Sequence, residues 1–409
     1  MQTNKNAICL LAFINKVYLV GAMLGGYIHK QYIMKNNLKI DLVLMIDKTF
    51  EKYIDEIKKI YDRVEIINLE EIKLSPDYNV HKKYSHWLKY SINKWQVLNF
   101  DEYEKILFCD TEIIPLSSKW YDDLFNLQAP AFLTKGQNDN YGTIINKNMV
   151  TNKQINSSEE YRTSSKNFTF TIDAGLVLLK PDKKLYREYL EFVRFAEGSE
   201  GYISSNISGA DETTLLLFYI FYKKIECRMI PYHYAVITWE NHKYQKDKIE
   251  GLNFLSYIKP WVKHQLIQWA DERIWHNIAK CMFFKYEMIQ IENIYFNLQI
   301  DNLYNYLNAI NKKTTNNVPY NYEAYFDSKL KHQTNNFLYF LKKIKQHYYQ
   351  PIKSIESSES SESNESGKLD EKQKTIIMFK ILNKAKQISN HMSLKTDIDQ
   401  TDVKNNICS

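Results

Sequence analysis

The chain has 409 residues, 44% of them hydrophobic and 25% charged, which is enough for one large domain with a full core and smaller additions. Its net charge of +6 comes with no basic stripe or recognition motif, which argues against a nucleic-acid-binding protein, and no uninterrupted apolar run reaches the roughly 18 residues of a membrane span. The five cysteines, Cys9, Cys109, Cys227, Cys281 and Cys408, are scattered and lack a C-x-x-C spacing, so they read as reduced thiols rather than a disulfide framework or a zinc site.

The apolar stretch from Ala7 to Gly26 is interrupted by Asn15-Lys16 and reads as a first strand and its following helix rather than a signal peptide. The chain is accordingly expected in the cytoplasm, with the sequons at Asn156, Asn167 and Asn206 unused. From Ala7 to about Lys263, short β-branched runs (Leu42 to Ile46, Val64 to Leu69, Ile106 to Cys109, Leu176 to Leu179) alternate with helical stretches near Gly21 to Met34, Phe50 to Tyr61 and Trp87 to Phe100. Such alternation predicts an α/β fold, a mostly parallel sheet with helices on both faces. No Gly-x-Gly-x-x-Gly occurs, which disfavours dinucleotide binding.

Beyond Gln265 the pattern turns helical and rich in Tyr and Asn. Phe337, Leu338, Phe340, Leu341 and Ile344 with Lys342, Lys343 and Lys345 form a basic amphipathic helix. Packing on the α/β domain is its expected use, and contact with a membrane surface or a partner groove is the alternative. Ser354 to Gly367 alternates Ser with Glu and cannot repay its ordering entropy, so it reads as a linker. The expected organisation is an α/β domain over 1–265, a helical extension over 266–353, the linker over 354–367, and a short helix with a disordered tail over 368–409.

Asp110-Thr111-Glu112 follows directly on the apolar run Ile106-Leu107-Phe108-Cys109, where a buried strand reaches the surface. Side chains two apart in a strand share a face, about 6.6 Å apart along the chain, so both carboxylates can converge on one divalent cation at the end of the sheet where open α/β folds keep their ligands. By itself the tripeptide reads equally as two solvated turn carboxylates. Asp211 and Glu212 open a helix over Glu212 to Tyr222, where the plain reading is an N-cap followed by a first-turn acid.

The surrounding stretch runs from Asn93-Lys94-Trp95-Gln96 through the strand and Asp110-Thr111-Glu112 to Asp122-Asp123-Leu124-Phe125. It resembles the centre of the glycogenin-like glycosyltransferases (glycosyltransferase family eight). Four further segments fall in the family's order: Tyr18-Leu-Val-Gly21-Ala22, Asp173-Ala174-Gly175, Gly209-Ala210-Asp211-Glu212, and Asn253-Phe254-Leu255-Ser256 with Lys259-Pro260-Trp261. The resemblance covers roughly the first two-thirds of the chain and implies a GT-A fold and a retaining transferase that moves a hexose from a UDP-sugar with Mn2+ or Mg2+.

By position the resemblance puts Tyr18 on the donor base, Lys94 near the donor, Asp110 on the ribose and metal, and Glu112 on the metal. It puts Asp173 on sugar hydroxyls, Lys259 on the phosphates, and Asp211 and Glu212 at the sugar as catalytic acids. Asn253 stands where the family has a metal-binding histidine, Glu112 where it has a second aspartate, Asp173 where it has an asparagine, and Glu212 where it has a glutamine. An amide oxygen is a weaker ligand than imidazole, so metal affinity should fall. His242 and His264 flank Asn253 and either replace the missing ligand or remain surface imidazoles. The insertion from Lys135 to Lys166 sets the chain apart from glycogenin, as does the want of a counterpart to the tyrosine segment that glycogenin glucosylates on itself. The acceptor, whether glycan, protein or small molecule, is not legible. The alternative is a nucleotide-sugar-binding or scaffold protein of the same fold without turnover.

Overall fold

The computed structural model describes residues 5–72, 85–134, 141–145, 149, 172–197, 210–243, 245–256, 258–263 and 272–313, all within the first of two compact units, Met1–Pro351. The chain opens with β1 (Asn6–Ala12), α1 (Lys16–Lys35), β2 (Ile40–Asp47), the short α2 (Ile54–Ile57) and β3 (Arg63–Ile67). After α3 (Ser85–Leu88) and a 3-10 segment (Ser91–Asn99) come β4 (Lys105–Cys109), β5 (Ile113–Pro115), α4 (Lys119–Asn126), β6 (Ala131–Thr134) and β7 (Ile144–Ile145). The second half holds β8 (Ile172–Leu179), α5 (Lys183–Glu197), α6 (Ala210–Leu217), β9 (Cys227–Ile230), β10 (Val236–Ile237), β11 (Gly251–Asn253), α7 (Arg273–Tyr286) and α8 (Ile289–Lys313).

Eight strands form one sheet in the order β3-β2-β1-β4-β8-β6-β9-β7, and β10-β11-β5 form a second, small sheet. The parallel block expected from the alternating pattern is β3-β2-β1-β4. Beyond it β8 runs antiparallel to both β4 and β6, so four of the seven pairings in the large sheet are parallel.

Alternation of side chains along the strands splits the core in two. Ile8, Leu10 and Ala12 of β1 face α1, α7 and α8, whereas Ala7, Cys9 and Leu11 face the 3-10 segment, α5 and α6. A sheet covered on both faces needs strands that are apolar throughout, and β8 is buried along its whole length. The expected helix Trp87 to Phe100 is two shorter pieces, and the expected helix to Tyr222 passes after Leu217 into a π-helical turn over Phe218–Tyr222. The amphipathic segment 337–345, the linker 354–367 and the tail lie outside the described residues, as does the insertion except for residues 141–145 and 149. Among the described residues no helix is long and apolar enough to cross a membrane.

Helix α1 starts on Asn15, whose side chain accepts the Val17 N–H at 2.9 Å, the usual use of Asn at a cap. It is buried almost continuously from Leu19 to Ile33, so small residues decide what can approach it. A methyl group at Gly21 would lie 2.2 Å from the Trp261 indole, at Gly25 2.7 Å from the Thr111 carbonyl oxygen, and at Gly26 2.3 Å from the Tyr61 hydroxyl. Three glycines thus let the Lys259-Pro260-Trp261 loop, the turn after β4 and the turn after α2 seat on one helix.

His29 on the same helix is fully buried, with Nδ1 2.9 Å from the Tyr121 hydroxyl, and burial holds its pKa down at about 3. Unfolded, the imidazole titrates near pH 6.5. The unfolded chain therefore binds a proton that the folded one refuses, and stability falls as pH drops below about 6.5. This one group contributes a slope approaching ~1.4 kcal/mol per pH unit. Urea unfolding of the wild type and His29→Gln between pH 7 and pH 5 should show the variant's stability falling less steeply by about that slope. Parallel profiles would mean that another group governs acid sensitivity.

Candidate functional site

The acids and lysines singled out in the sequence gather where β4 ends and β8 begins. Because β8 runs antiparallel to β4, its first residues meet the last of β4: Cys109 pairs with Leu176, and the Asp110 N–H donates to the Gly175 carbonyl at 2.7 Å. On its other side β8 breaks register with β6. Phe132 pairs with Val177 but Leu133 pairs with Asp173, which leaves Ala174, Gly175 and Leu176 unmatched. Such a bulge bends the strand and redirects its side chains, here at Asp173.

Gly175 is the spacer of the site. A methyl group there would lie 2.9 Å from Asp173 Oδ1 and 3.1 Å from Asp110 Oδ2, so both carboxylates crowd one point of bare backbone. Asp173 Oδ1 also accepts the Gly175 N–H at 2.8 Å. One of its oxygens thus caps the local turn.

Lys94, on the 3-10 segment, bridges two acids. Its Nζ lies 3.2 Å from Asp110 Oδ1 and 3.1 Å from Asp211 Oδ2, and it sits 5.5 Å from the Phe108 ring centroid. Burial alone would lower its pKa, but Asp110 and Asp211 outweigh burial and hold it above the usual lysine range. Asp110 is raised to about 6, chiefly by burial and by the neighbouring Glu112 and Asp173, against the pull of Lys94 and Lys259.

Asp211 and Glu212 both lie in the first turn of α6, where acids suit the helix dipole, but their side chains are also spent elsewhere. Asp211 pairs with Lys94, its carbonyl accepts the Trp95 indole N–H at 3.1 Å, and Glu212 Oε1 accepts the Ala174 N–H at 3.3 Å.

Glu112 is buried on the other side of the turn. Lys259 donates to its Oε1, the Thr111 hydroxyl donates to Oε2 at 3.2 Å, and the Phe254 N–H donates to its carbonyl at 3.1 Å. Asn253 pairs with Ile113 across β11 and β5, 3% exposed, and its side-chain oxygen has no hydrogen-bond partner. A buried amide oxygen without a donor costs about 1–3 kcal/mol, which is a reason to expect a ligand there. The loop carrying Lys259 is fixed by Trp261, whose indole N–H donates to the Val17 carbonyl at 2.8 Å.

Tyr18 lies at the start of α1 with its ring stacked on Phe13, centroids 5.7 Å apart and planes 13° apart. The residue between β1 and this helix, Ile14, has φ of 63°, a strained conformation for a β-branched side chain, and its N–H donates to the Asp47 carboxylate. His264 lies outside the described residues, as does the side chain of His242.

Thr111, Trp95 and Phe108 were not among the candidates read from sequence. The hydroxyl beside an acidic pair and the tryptophan following Lys94 were visible in the motif, but their contacts depend on the fold.

No protein-family model and no curated protein sequence matches the chain. Among solved structures it is similar to the glycosyltransferase GlyE of Streptococcus pneumoniae TIGR4, at 12% identity over 71% of this chain and with a TM-score of 0.39. The chain spans 64% of the length of GlyE. It is also similar to the galactosyltransferase LgtC in complex with donor and acceptor sugar analogues, at 11% identity, 67% of this chain, 95% of that one and a TM-score of 0.37. For the bifunctional glycosyltransferase WbbM in its apo form the values are 10%, 73%, 52% and 0.38. No residue role transfers from proteins this distant.

Lys94→Met leaves Asp211, whose side chain is 4% exposed, buried without its ammonium, a change that costs about 3–5 kcal/mol. Lys94→Arg should lose much less. Urea unfolding of both variants checks this, and a loss below about 1 kcal/mol for Lys94→Met would mean that solvent reaches Asp211 freely.

Proposed function

We propose that this chain is a retaining hexosyltransferase of the glycogenin-like kind with a GT-A fold, moving a hexose from a UDP-sugar to an acceptor with the help of Mn2+ or Mg2+. The observation that carries this reading is the convergence of Asp110, Glu112, Asp173, Asp211 and Glu212 with Lys94 and Lys259 on the junction of β4 and β8. These residues come from four separated stretches of sequence, each of which resembles a segment of the family, and the two lysines would supply the charge that a diphosphate needs.

Among the described residues no three His, Cys, Asp or Glu side chains group as metal ligands. The donor set here is two carboxylates and an amide, Asp110, Glu112 and Asn253. All are hard oxygen ligands, which suit Mg2+ or Mn2+ rather than zinc. The buried, unpartnered Asn253 oxygen and the excess of carboxylates over ammonium groups both fit such an ion. When bound, a divalent cation supplies charge that stabilises the departing diphosphate.

The chain's own groups do the rest. Tyr18, backed by Phe13, offers a flat surface to the base, and Lys259 offers an ammonium to the phosphates. Lys94 ties the donor-side Asp110 to the sugar-side Asp211. Glu212, steadied by the Ala174 N–H, is the carboxylate assigned to the face of the anomeric carbon opposite the leaving diphosphate, where it stabilises positive charge developing as that bond breaks. The alternative of a nucleotide-sugar-binding protein without turnover draws support from one observation, the engagement of Glu112 by Lys259.

Turnover separates the two readings. Incubation with UDP-glucose, UDP-galactose or UDP-N-acetylglucosamine and Mn2+ should release UDP. Glu212→Ala should lower that rate by at least ~100-fold with donor affinity little changed, because the lost interaction acts in the transition state. Tight UDP binding with no release from any donor, across several acceptors, would put the binding-protein reading first.

The metal assignment has its own test. Asn253→His exchanges an amide oxygen for an imidazole, which binds Mn2+ better. Calorimetry in the presence of UDP should show a higher Mn2+ affinity for the variant, and a fall would remove Asn253 from the ligand set.

A further inference from the structure

We propose that Lys259 is an internal counter-cation, held on Glu112 until a nucleoside diphosphate draws it away, so that metal and nucleotide can enter this site strongly only together. The inference rests on the reading of Glu112 as a metal ligand and of Lys259 as a phosphate contact, and it adds that one side chain cannot serve both states. Both Glu112 oxygens are engaged, Oε1 by Lys259 and Oε2 by Thr111. Among the described residues Glu112 is the hydrogen-bonding partner of the Lys259 ammonium. Both groups are largely withdrawn from water, with side chains 15% and 7% exposed.

Burial decides the energetics. A divalent cation arriving alone must take Glu112 from Lys259 and leave a buried ammonium without a partner, and uncompensated buried charge is expensive. A diphosphate arriving alone can take Lys259, but it then leaves Glu112 bare beside Asp110 and Asp173, which already press on each other electrostatically. Arriving together, the two ligands exchange partners: the cation replaces Lys259 on Glu112 while the phosphates replace Glu112 on Lys259, and no charge is stranded.

The exchange asks for movement of the Lys259 side chain alone. The loop backbone is pinned by the Trp261 indole on the Val17 carbonyl and against Gly21, and by the Val262 N–H on the Lys259 carbonyl at 3.0 Å. A four-carbon stem with a compact ammonium suits such a swing better than a planar guanidinium would.

The test is Mn2+ binding in the presence and absence of UDP, followed by the electron paramagnetic resonance signal of free Mn2+ and by calorimetry. In the wild type, Mn2+ alone should bind at least ~10-fold more weakly than with UDP, and UDP affinity should gain by the same factor from Mn2+, since coupling is reciprocal. Lys259→Met removes the competitor, so Mn2+ alone should bind at least ~10-fold more tightly than to the wild type, while UDP alone binds more weakly. If that variant does not fold, Lys259→Gln keeps a neutral donor to Glu112 and should raise the affinity for Mn2+ alone in the same direction.

Unchanged or weaker binding of Mn2+ alone by the folded variant would overturn the exchange. The coupling would then come simply from the diphosphate ligating the metal, and the proposed function would survive. Failure of the wild type to bind UDP at any Mn2+ concentration would instead overturn the proposed function and this inference with it.

Discussion

Everything at the end of β4 follows from the cost of burying like charges. Asp110, Glu112, Asp173, Asp211 and Glu212 meet two ammonium groups, Lys94 and Lys259. A cluster with more carboxylates than cations, partly withdrawn from water, is unfavourable unless each charge finds a partner. The fold supplies partners one by one: Lys94 for Asp110 and Asp211, Lys259 for Glu112, and backbone N–H groups of Ala174 and Gly175 for Glu212 and Asp173. Asp110 is left with the heaviest burden: its burial first, and then the neighbouring Glu112 and Asp173, push its pKa up to about 6 against the pull of Lys94 and Lys259. Such an arrangement does not recommend itself for stability. On the proposed reading a positively charged ligand completes it.

The second constraint is steric and belongs to α1. A helix buried nearly all round has no room for side chains on the faces where other backbone approaches. Gly21 and Gly25, one turn apart, receive Trp261 and the Thr111 carbonyl. The loop that carries Lys259 and the turn that carries Asp110 and Glu112 are thereby seated against the same helix whose first turn holds Tyr18. Three segments with different chemical parts are placed by one rigid element, and a site built on rigid elements keeps its geometry. The helices α7 and α8 cover the same face, so this part of the C-terminal half contributes to the core beside the Lys259 loop rather than hanging from it.

Much of this was legible in the sequence, and the reasons it was not all legible are physical. β1, β2 and β4 are largely apolar runs that a sheet covered on both faces can use, and β3 at the edge of the sheet, with Arg63 and Glu65 among its five residues, is only partly buried, so the existence and parallel pairing of this block follow from pattern. The antiparallel course of β8 does not follow, because a fully buried strand has the same composition in either direction. The segment Ser91–Asn99 carries helical periodicity but is wound as a 3-10 helix, and periodicity cannot resolve three residues per turn from 3.6 over so short a run. At the site, residue types and order pointed to Asp110, Glu112, Asp211 and Lys259. That Lys94 spans two of the acids, that Thr111 caps Glu112, and that Gly175 sets the spacing of Asp110 and Asp173 are properties of the packed state. Lys94 reaches Asp211 from 117 positions away, and Gly175 meets Asp110 across 65, separations that a local reading of the sequence does not span.

The departures from the pattern of the glycogenin-like sequences that this chain resembles are consistent with one another when read as electrostatics. Replacing an aspartate by Glu112 adds a methylene and lets the carboxylate reach an internal ammonium. Replacing a histidine by Asn253 removes the strongest neutral metal ligand, and replacing amides by Asp173 and Glu212 adds negative charge nearby. The first two changes weaken the hold of a lone cation, whereas the last two increase the electrostatic demand for one. On the proposed reading, a site with both tendencies would bind a metal best when it arrives with an anion that can be shared with Lys259, because that anion would release Glu112 and join the coordination in the same event. The sequence changes that look like loss of a metal site are therefore also the changes that would make metal binding conditional on the nucleotide.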